Sequence, residues 1–138
     1  MVGELLRETS VQGSEGFLSF LDGFVDSVSS ELKLDEEITS NIVISVSEAL
    51  NNAFVHGNGR NENLSITLAV YHNSDSLVFV VKDQGHGYDY DLLVADLTDD
   101  LLDVPGGRGL FIMRALADEV SNNEEGNEVY LTFRLNGN

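Results

Sequence analysis

Two strand-patterned runs joined by a short turn constrain the fold of this chain most. Residues 64–71 alternate through Leu64, Ile66, Leu68 and Val70, and residues 77–81 form a continuous β-branched and aromatic run. Asn73-Ser74-Asp75-Ser76 between them reads as a hairpin turn. A second hairpin is predicted over 119–122 and 128–135, turning at Glu125-Gly126-Asn127, and a short leading strand fits residues 3–10. Helical patterns fill much of the rest. From Ser14 to about Leu32, Phe17, Leu18, Phe20, Leu21, Phe24, Val25 and Val28 recur at helical spacing, with Gly23 a weak point. A second helix is predicted from about Asp35, a good N-cap, to about His56, stopping at Gly57-Asn58-Gly59. A third fits residues 109–117, and residues 88–106 form a polar, acidic connection with some helical pattern in Leu92, Leu93, Ala95 and Leu97. Helices, a hairpin, a helix and a second hairpin, without regular β-α-β alternation, predict an α+β layer of helices on a mostly antiparallel sheet.

No repeat, low-complexity tract or linker divides the 138 residues, so one domain is expected over 1–138. The 24 Asp and Glu against 7 Lys and Arg give a formal charge of −17. With 42% hydrophobic residues the chain has the material for a core, which argues against disorder of the whole. So acidic a surface repels phosphate backbones and anionic lipid, which disfavours direct nucleic-acid or membrane binding and favours a basic protein partner. There is no cysteine, hence no disulfide, thiolate metal site or cysteine nucleophile. No apolar run approaches the roughly 18 residues of a membrane span, and residues 1–10 are too polar for a signal peptide, so a cytoplasmic protein is expected.

Three motifs carry chemistry. The first, Ser47-Glu48-Ala49-Leu50-Asn51-Asn52-Ala53, lies inside the second helix. Glu48 and Asn52 project one turn apart on a polar stripe with Asn41 and Ser45, beside an apolar stripe of Ile38, Ile42, Val46, Ala49 and Ala53. Burying such groups unpaired is costly, so they point to a site, although a solvated helix edge is the ordinary reading. The second, Val80-Val81-Lys82-Asp83-Gln84-Gly85-His86-Gly87, ends a buried-looking strand in an Asp that can accept from a ligand amine, followed by alternate glycines. Taken alone, it is an ordinary Asp-Gly turn. The third, Pro105-Gly106-Gly107-Arg108-Gly109-Leu110, opens a helix, where backbone N–H groups and the dipole favour an anion. It is neither a P-loop nor a dinucleotide fingerprint, and alone it reads as a simple loop.

Together and in this order, Glu-Ala-x-x-Asn-Ala, Asp-x-Gly-x-Gly and Gly-Gly-x-Gly-Leu resemble the N, G1 and G2 boxes of the GHKL, or histidine-kinase-like, ATP-binding domains. Asn-Ala-Phe-Val-His-Gly at 52–57 and Gly-Gly-Arg-Gly-Leu-Phe-Ile-Met-Arg-Ala-Leu-Ala-Asp-Glu-Val at 106–120 further resemble the anti-sigma-factor serine kinases of the RsbW type. The resemblance spans nearly the whole chain. It implies a Bergerat-type two-layer α/β sandwich, with helices packed on one face of a mixed, mostly antiparallel sheet.

The resemblance also implies roles. Glu48 would orient or deprotonate the attacking hydroxyl, and Asn52 would hold Mg²⁺. Asp83 would accept from the adenine amino group of ATP, with Gly85 and Gly87 lining the base pocket. Gly107 and Gly109 would meet the phosphates, Arg108 would supply a cation there, and residues 88–106 would form a lid. The lid carries Asp89, Asp91, Asp96, Asp99, Asp100 and Asp103 and no Lys or Arg, which reads as a solvated acidic face or a surface for a basic partner. His56 ends the second helix and reads as structural or phosphate-near, while His72 and His86 lack a spacing that points to a metal site or catalytic dyad. The implied function is an ATP-dependent serine kinase that phosphorylates a small antagonist (anti-anti-sigma) protein and sequesters a sigma factor, with dimerisation also implied. Two other functions compete with it: a nucleotide-gated binding module without significant kinase activity, and an acidic decoy that needs no nucleotide.

Overall fold

The computed structural model describes residues 3–13, 17–87 and 106–135. Five strands, β1 (Glu4–Gln12), β2 (Ser65–His72), β3 (Ser76–Asp83), β4 (Glu119–Asn122) and β5 (Glu128–Arg134), form one sheet in the order β1-β2-β3-β5-β4. Every pairing among the described residues is antiparallel. Among the described residues the sheet is thus antiparallel throughout, in keeping with the mostly antiparallel sheet expected. Three helices, α1 (Phe17–Leu32), α2 (Glu36–Asn52) and α3 (Gly107–Leu116), complete the α+β architecture.

The alternation of β2 dictates which face meets the helices. Ile66, Leu68 and Val70 lie in one buried cluster with Leu77, Phe79 and Val81 of β3 and Val129, Leu131 and Phe133 of β5. Leu21, Val25 and Val28 of α1, Ile42, Val46, Ala49 and Leu50 of α2, and Leu110 and Met113 of α3 close over that face. Phe79 sits at the centre, with the ring of Phe133 edge-on at 6.0 Å and that of Phe24 tilted at 6.5 Å. Ala69, Val78 and Val80, with Tyr71 and Tyr130, form a smaller cluster separate from this core. The tyrosine hydroxyl of Tyr130 donates to Glu128 at 2.8 Å, and burial together with that carboxylate pushes its pKa up to about 12.

The helix α2 begins as the sequence predicts. Asp35 Oδ1 accepts from the Ile38 N–H at 2.8 Å, and Glu36 and Glu37 stand in the first turn, where the dipole favours carboxylates. Its end differs from expectation. The α-helix stops at Asn52, and Ala53–Gly57 continue as one π-helical turn, closed by the Asn58 N–H donating to the Ala53 carbonyl at 2.7 Å. Hydrophobic periodicity does not register this widened turn, because Ala53 and Phe54 are buried just as a regular helix would bury them. The strands and α3 match the predicted elements to within about two residues, which is the ordinary uncertainty of element ends. The connection expected to be a lid lies outside the described residues apart from Gly106. Among the described residues no helix is long and apolar enough to cross a membrane.

Candidate functional site

The polar stripe of α2 is not solvated. Ser45 is fully buried, and its hydroxyl is satisfied within the helix by the Asn41 carbonyl at 2.6 Å. Asn52 is 2% exposed and Glu48 half-buried. Both face α3, which packs against α2. Asn52 Nδ2 donates to the Gly106 carbonyl at 3.4 Å, tying the end of α2 to the entry of α3. A methyl group at Gly109 would stand 3.0 Å from Glu48 Oε1, 3.2 Å from Asn52 Nδ2 and 3.4 Å from Asn52 Oδ1. The first and third motifs, some 60 residues apart, therefore meet across the volume of a single missing side chain.

The start of α3 has the chemistry of an anion site. Its N-cap, Gly106, is left-handed (φ 77°), a conformation that favours glycine, and among the described residues no side-chain cap bond is made there. Gly107 and Gly109 are buried while Arg108 is exposed. The first turn of α3, at the positive end of the helix dipole, thus lies beside Glu48 and Asn52 at Gly109.

Asp83 ends β3 and is 2% exposed. Burial raises its pKa from 3.8 to about 6, although the backbone N–H groups of Gly85 and Gly87 pull the other way. Gly85 N–H reaches Oδ1 at 3.0 Å, while Oδ2 lies against Gly57. A side chain at Gly57 would collide with this carboxylate, so the π-helical turn brings Gly57 to Asp83 as its floor. The glycines of the second motif have a packing role. A Cβ on Gly85 would strike the Gly57 carbonyl and come within 2.8 Å of Asn58 Cα. One on Gly87 would meet the Glu125 carbonyl at 2.6 Å, in the turn between β4 and β5. The same turn receives the Asp83 N–H through the Asn127 carbonyl at 2.9 Å.

Three contributors escaped the reading of the sequence: Gly57, Asn58 and the turn at 123–127. Gly57-Asn58-Gly59 read as a helix stop, with Gly57 also closing the 52–57 run that carries the resemblance but given no role of its own. Asn58 is 5% exposed, its Oδ1 accepting from Gln84 N–H at 2.9 Å and its Nδ2 donating to the Ser65 carbonyl at 3.2 Å. His56, in the π-helical turn, is half-buried, and burial followed by the charge of Arg60 lowers its pKa. His86 is exposed, and among the described residues no three His, Cys, Asp or Glu cluster as a metal cage.

Comparison with known proteins gives the same placement as the motifs. The family described as "Histidine kinase-like ATPase domain" matches residues 21–133. The chain is 31% identical to "Serine-protein kinase RsbW" of Bacillus subtilis (strain 168), over 94% of its own length and 86% of that protein. It is 35% identical to the protein of the same name from Bacillus velezensis, over 80% and 73%. The Staphylococcus aureus (strain JH9) protein of that name is 29% identical over 83% and 76%. Among the described residues an antiparallel sheet under three helices, together with three motifs in family order, accompanies these matches: the chain belongs to the histidine kinase-like ATPase family, within its RsbW-type group.

Proposed function

We propose that this protein is an ATP-dependent protein serine kinase, an anti-sigma-type regulator that phosphorylates a small antagonist protein. The observation that carries this reading is the convergence of Glu48, Asn52 and the uncapped start of α3 around Gly109. A carboxylate, an amide oxygen and a cluster of backbone N–H groups are the parts that phosphoryl transfer needs, since positioning and charge neutralisation dominate that reaction. The names of the relatives supply the acceptor class, a protein serine.

In this reading Asp83 Oδ2 accepts from the adenine amino group, and the floor at Gly57 keeps that oxygen oriented. The N–H groups at 107–109 receive phosphate oxygens, with Arg108 as the adjoining cation. Glu48 takes the proton of the attacking serine hydroxyl. The serine oxygen bonds to the γ-phosphorus as the bond to the β-phosphate oxygen breaks and ADP leaves. The residues fit Mg²⁺: Asn52 Oδ1 is a hard oxygen donor facing the start of α3, and a nucleotide-bound Mg²⁺ needs few protein ligands. When bound, that ion supplies neutralisation of the triphosphate charge.

The charge of −17 gives a sigma factor or another basic protein a further reason to dock. Purified protein, labelled ATP and a candidate antagonist should yield phosphoserine on the antagonist. ATP-dependent partner binding without any phosphoserine would instead identify a nucleotide-gated binding module. Partner binding in EDTA without ATP, steeply reduced by salt, would identify an acidic decoy.

Gly109→Ala separates the site from the fold. Alanine is better than glycine inside a helix by about 1 kcal/mol, so the apo melting temperature should hold or rise. The added methyl crowds Glu48 and Asn52, so affinity for ATP·Mg²⁺ should fall about tenfold, a loss of about 1.4 kcal/mol. Thermal melts with and without nucleotide measure both effects.

A further inference from the structure

The side chain of Asn58 lies outside the three motifs, yet it is bonded to the backbone next to Asp83. Its Oδ1 accepts from the N–H of Gln84, the residue after Asp83, at 2.9 Å. Its Nδ2 donates to the Ser65 carbonyl at the start of β2, at 3.2 Å. Gln84 completes the latch: its side-chain oxygen accepts from the Ser65 N–H at 2.6 Å. Asn58 is 5% exposed, and its amide bonds one backbone group at each of two strand ends. It also stands at the exit of the π-helical turn, where Asn58 N–H closes on the Ala53 carbonyl.

We infer that Asn58 is a positioning residue for base recognition: it locks the backbone after Asp83 so that the carboxylate is free to select adenine. This rests on the nucleotide-site reading above. Asp83 faces competing demands. Its carboxylate already accepts from Gly85 N–H at 3.0 Å and is held against Gly57. With the Gln84 N–H fixed by Asn58, the loop at 84–87 keeps its path whether or not Asp83 turns toward a ligand. Without Asn58, the loop leans more on the Gln84 brace to Ser65 and on the bonds from Gly85 and Gly87 N–H to Asp83, so Asp83 must serve the loop and the ligand together. An amide suits the position because the latch needs a donor and an acceptor on one short side chain. An aspartate would keep the acceptor, lose the donor and set a second carboxylate near Asp83.

The test is binding of ATP·Mg²⁺ and GTP·Mg²⁺, by calorimetry, to the wild type, Asn58→Ala, Asp83→Asn and the double variant. Asn58→Ala should lose about tenfold in ATP affinity with GTP affinity unchanged, so that the preference for adenine falls. In the Asp83→Asn background the same change should cost less than about twofold, because residues that act through one another are not additive. Gln84→Ala, at an exposed position, removes only the brace to Ser65 and should lower the adenine preference in the same direction, by about threefold. It gives the answer even if Asn58→Ala fails to fold. Equal loss of ATP and GTP, full additivity with Asp83→Asn, or an unchanged preference in Gln84→Ala would each overturn the positioning role. A wild type that binds neither nucleotide would overturn the underlying reading instead.

Discussion

Replacing Glu48 with Gln should lower phosphoryl transfer to the antagonist by about 10²- to 10⁴-fold, the range expected when a general base is removed. Glutamine keeps the length and packing of the side chain beside Gly109 but cannot take the proton of a hydroxyl. In the proposed site the nucleotide contacts come from Asp83, Asn52 and the start of α3, so ATP affinity should stay within about threefold of the wild type. Quantified phosphoserine, set beside equilibrium ATP binding on the same preparation, separates the two. A parallel loss of binding would mean that Glu48 shapes the pocket and does not act on the acceptor.

Asp83→Asn should have the opposite signature. A hydrogen bond to a charged acceptor contributes about 1.5–3 kcal/mol, so ATP binding should weaken about ten- to hundredfold. The fold should tolerate the change, since the substituted amide has the same shape as the carboxylate and its oxygen can still accept from Gly85 N–H. The raised pKa of Asp83, about 6, adds a pH signature whose sign can be worked out. The folded state holds this proton more tightly than the unfolded chain, whose value is near 3.8. Asp83 therefore contributes stability that is fully present below about 3.8 and is lost as the pH rises through about 6. Adenine recognition runs the other way, because the amino group needs an ionised acceptor. ATP affinity of the wild type should thus fall about tenfold between neutral pH and about pH 5. Asp83→Asn should lack both effects, so the difference between the two pH profiles, in binding and in apo melting temperature, isolates this carboxylate.

The parts of the site written in local pattern were legible in the sequence. Glu48 and Asn52 stood out because helical spacing puts them one turn apart beside an apolar stripe. Gly107 and Gly109 stood out because glycines at a helix start have a physical use. The alternation in β2 showed which face would be buried, and Phe79 in β3 indeed lies at the core centre. Contacts made by backbone geometry were not legible. The π-helical turn leaves no periodic trace, so the role of Gly57 under Asp83 appeared only with the fold. Asn58 looked like one more turn-forming residue, because the pairing of its amide with Gln84 and Ser65 depends on strand ends brought together by the sheet. Gly85, expected to line the base pocket, also leaves room for the Gly57 backbone. Family motifs named the residues, and packing explains why several of them must be small.

The most direct test of the central claim is the melting temperature of the wild-type protein with ATP·Mg²⁺, with GTP·Mg²⁺ and without nucleotide. A ligand at about a hundred times its Kd stabilises the native state by about 2.7 kcal/mol. For a domain of this size that corresponds to a rise of about 5–10 °C. The expected result is that rise with ATP·Mg²⁺, little with GTP·Mg²⁺, and a rise cut to about half or less in Asp83→Asn. An unchanged melting temperature at saturating ATP·Mg²⁺ would contradict it.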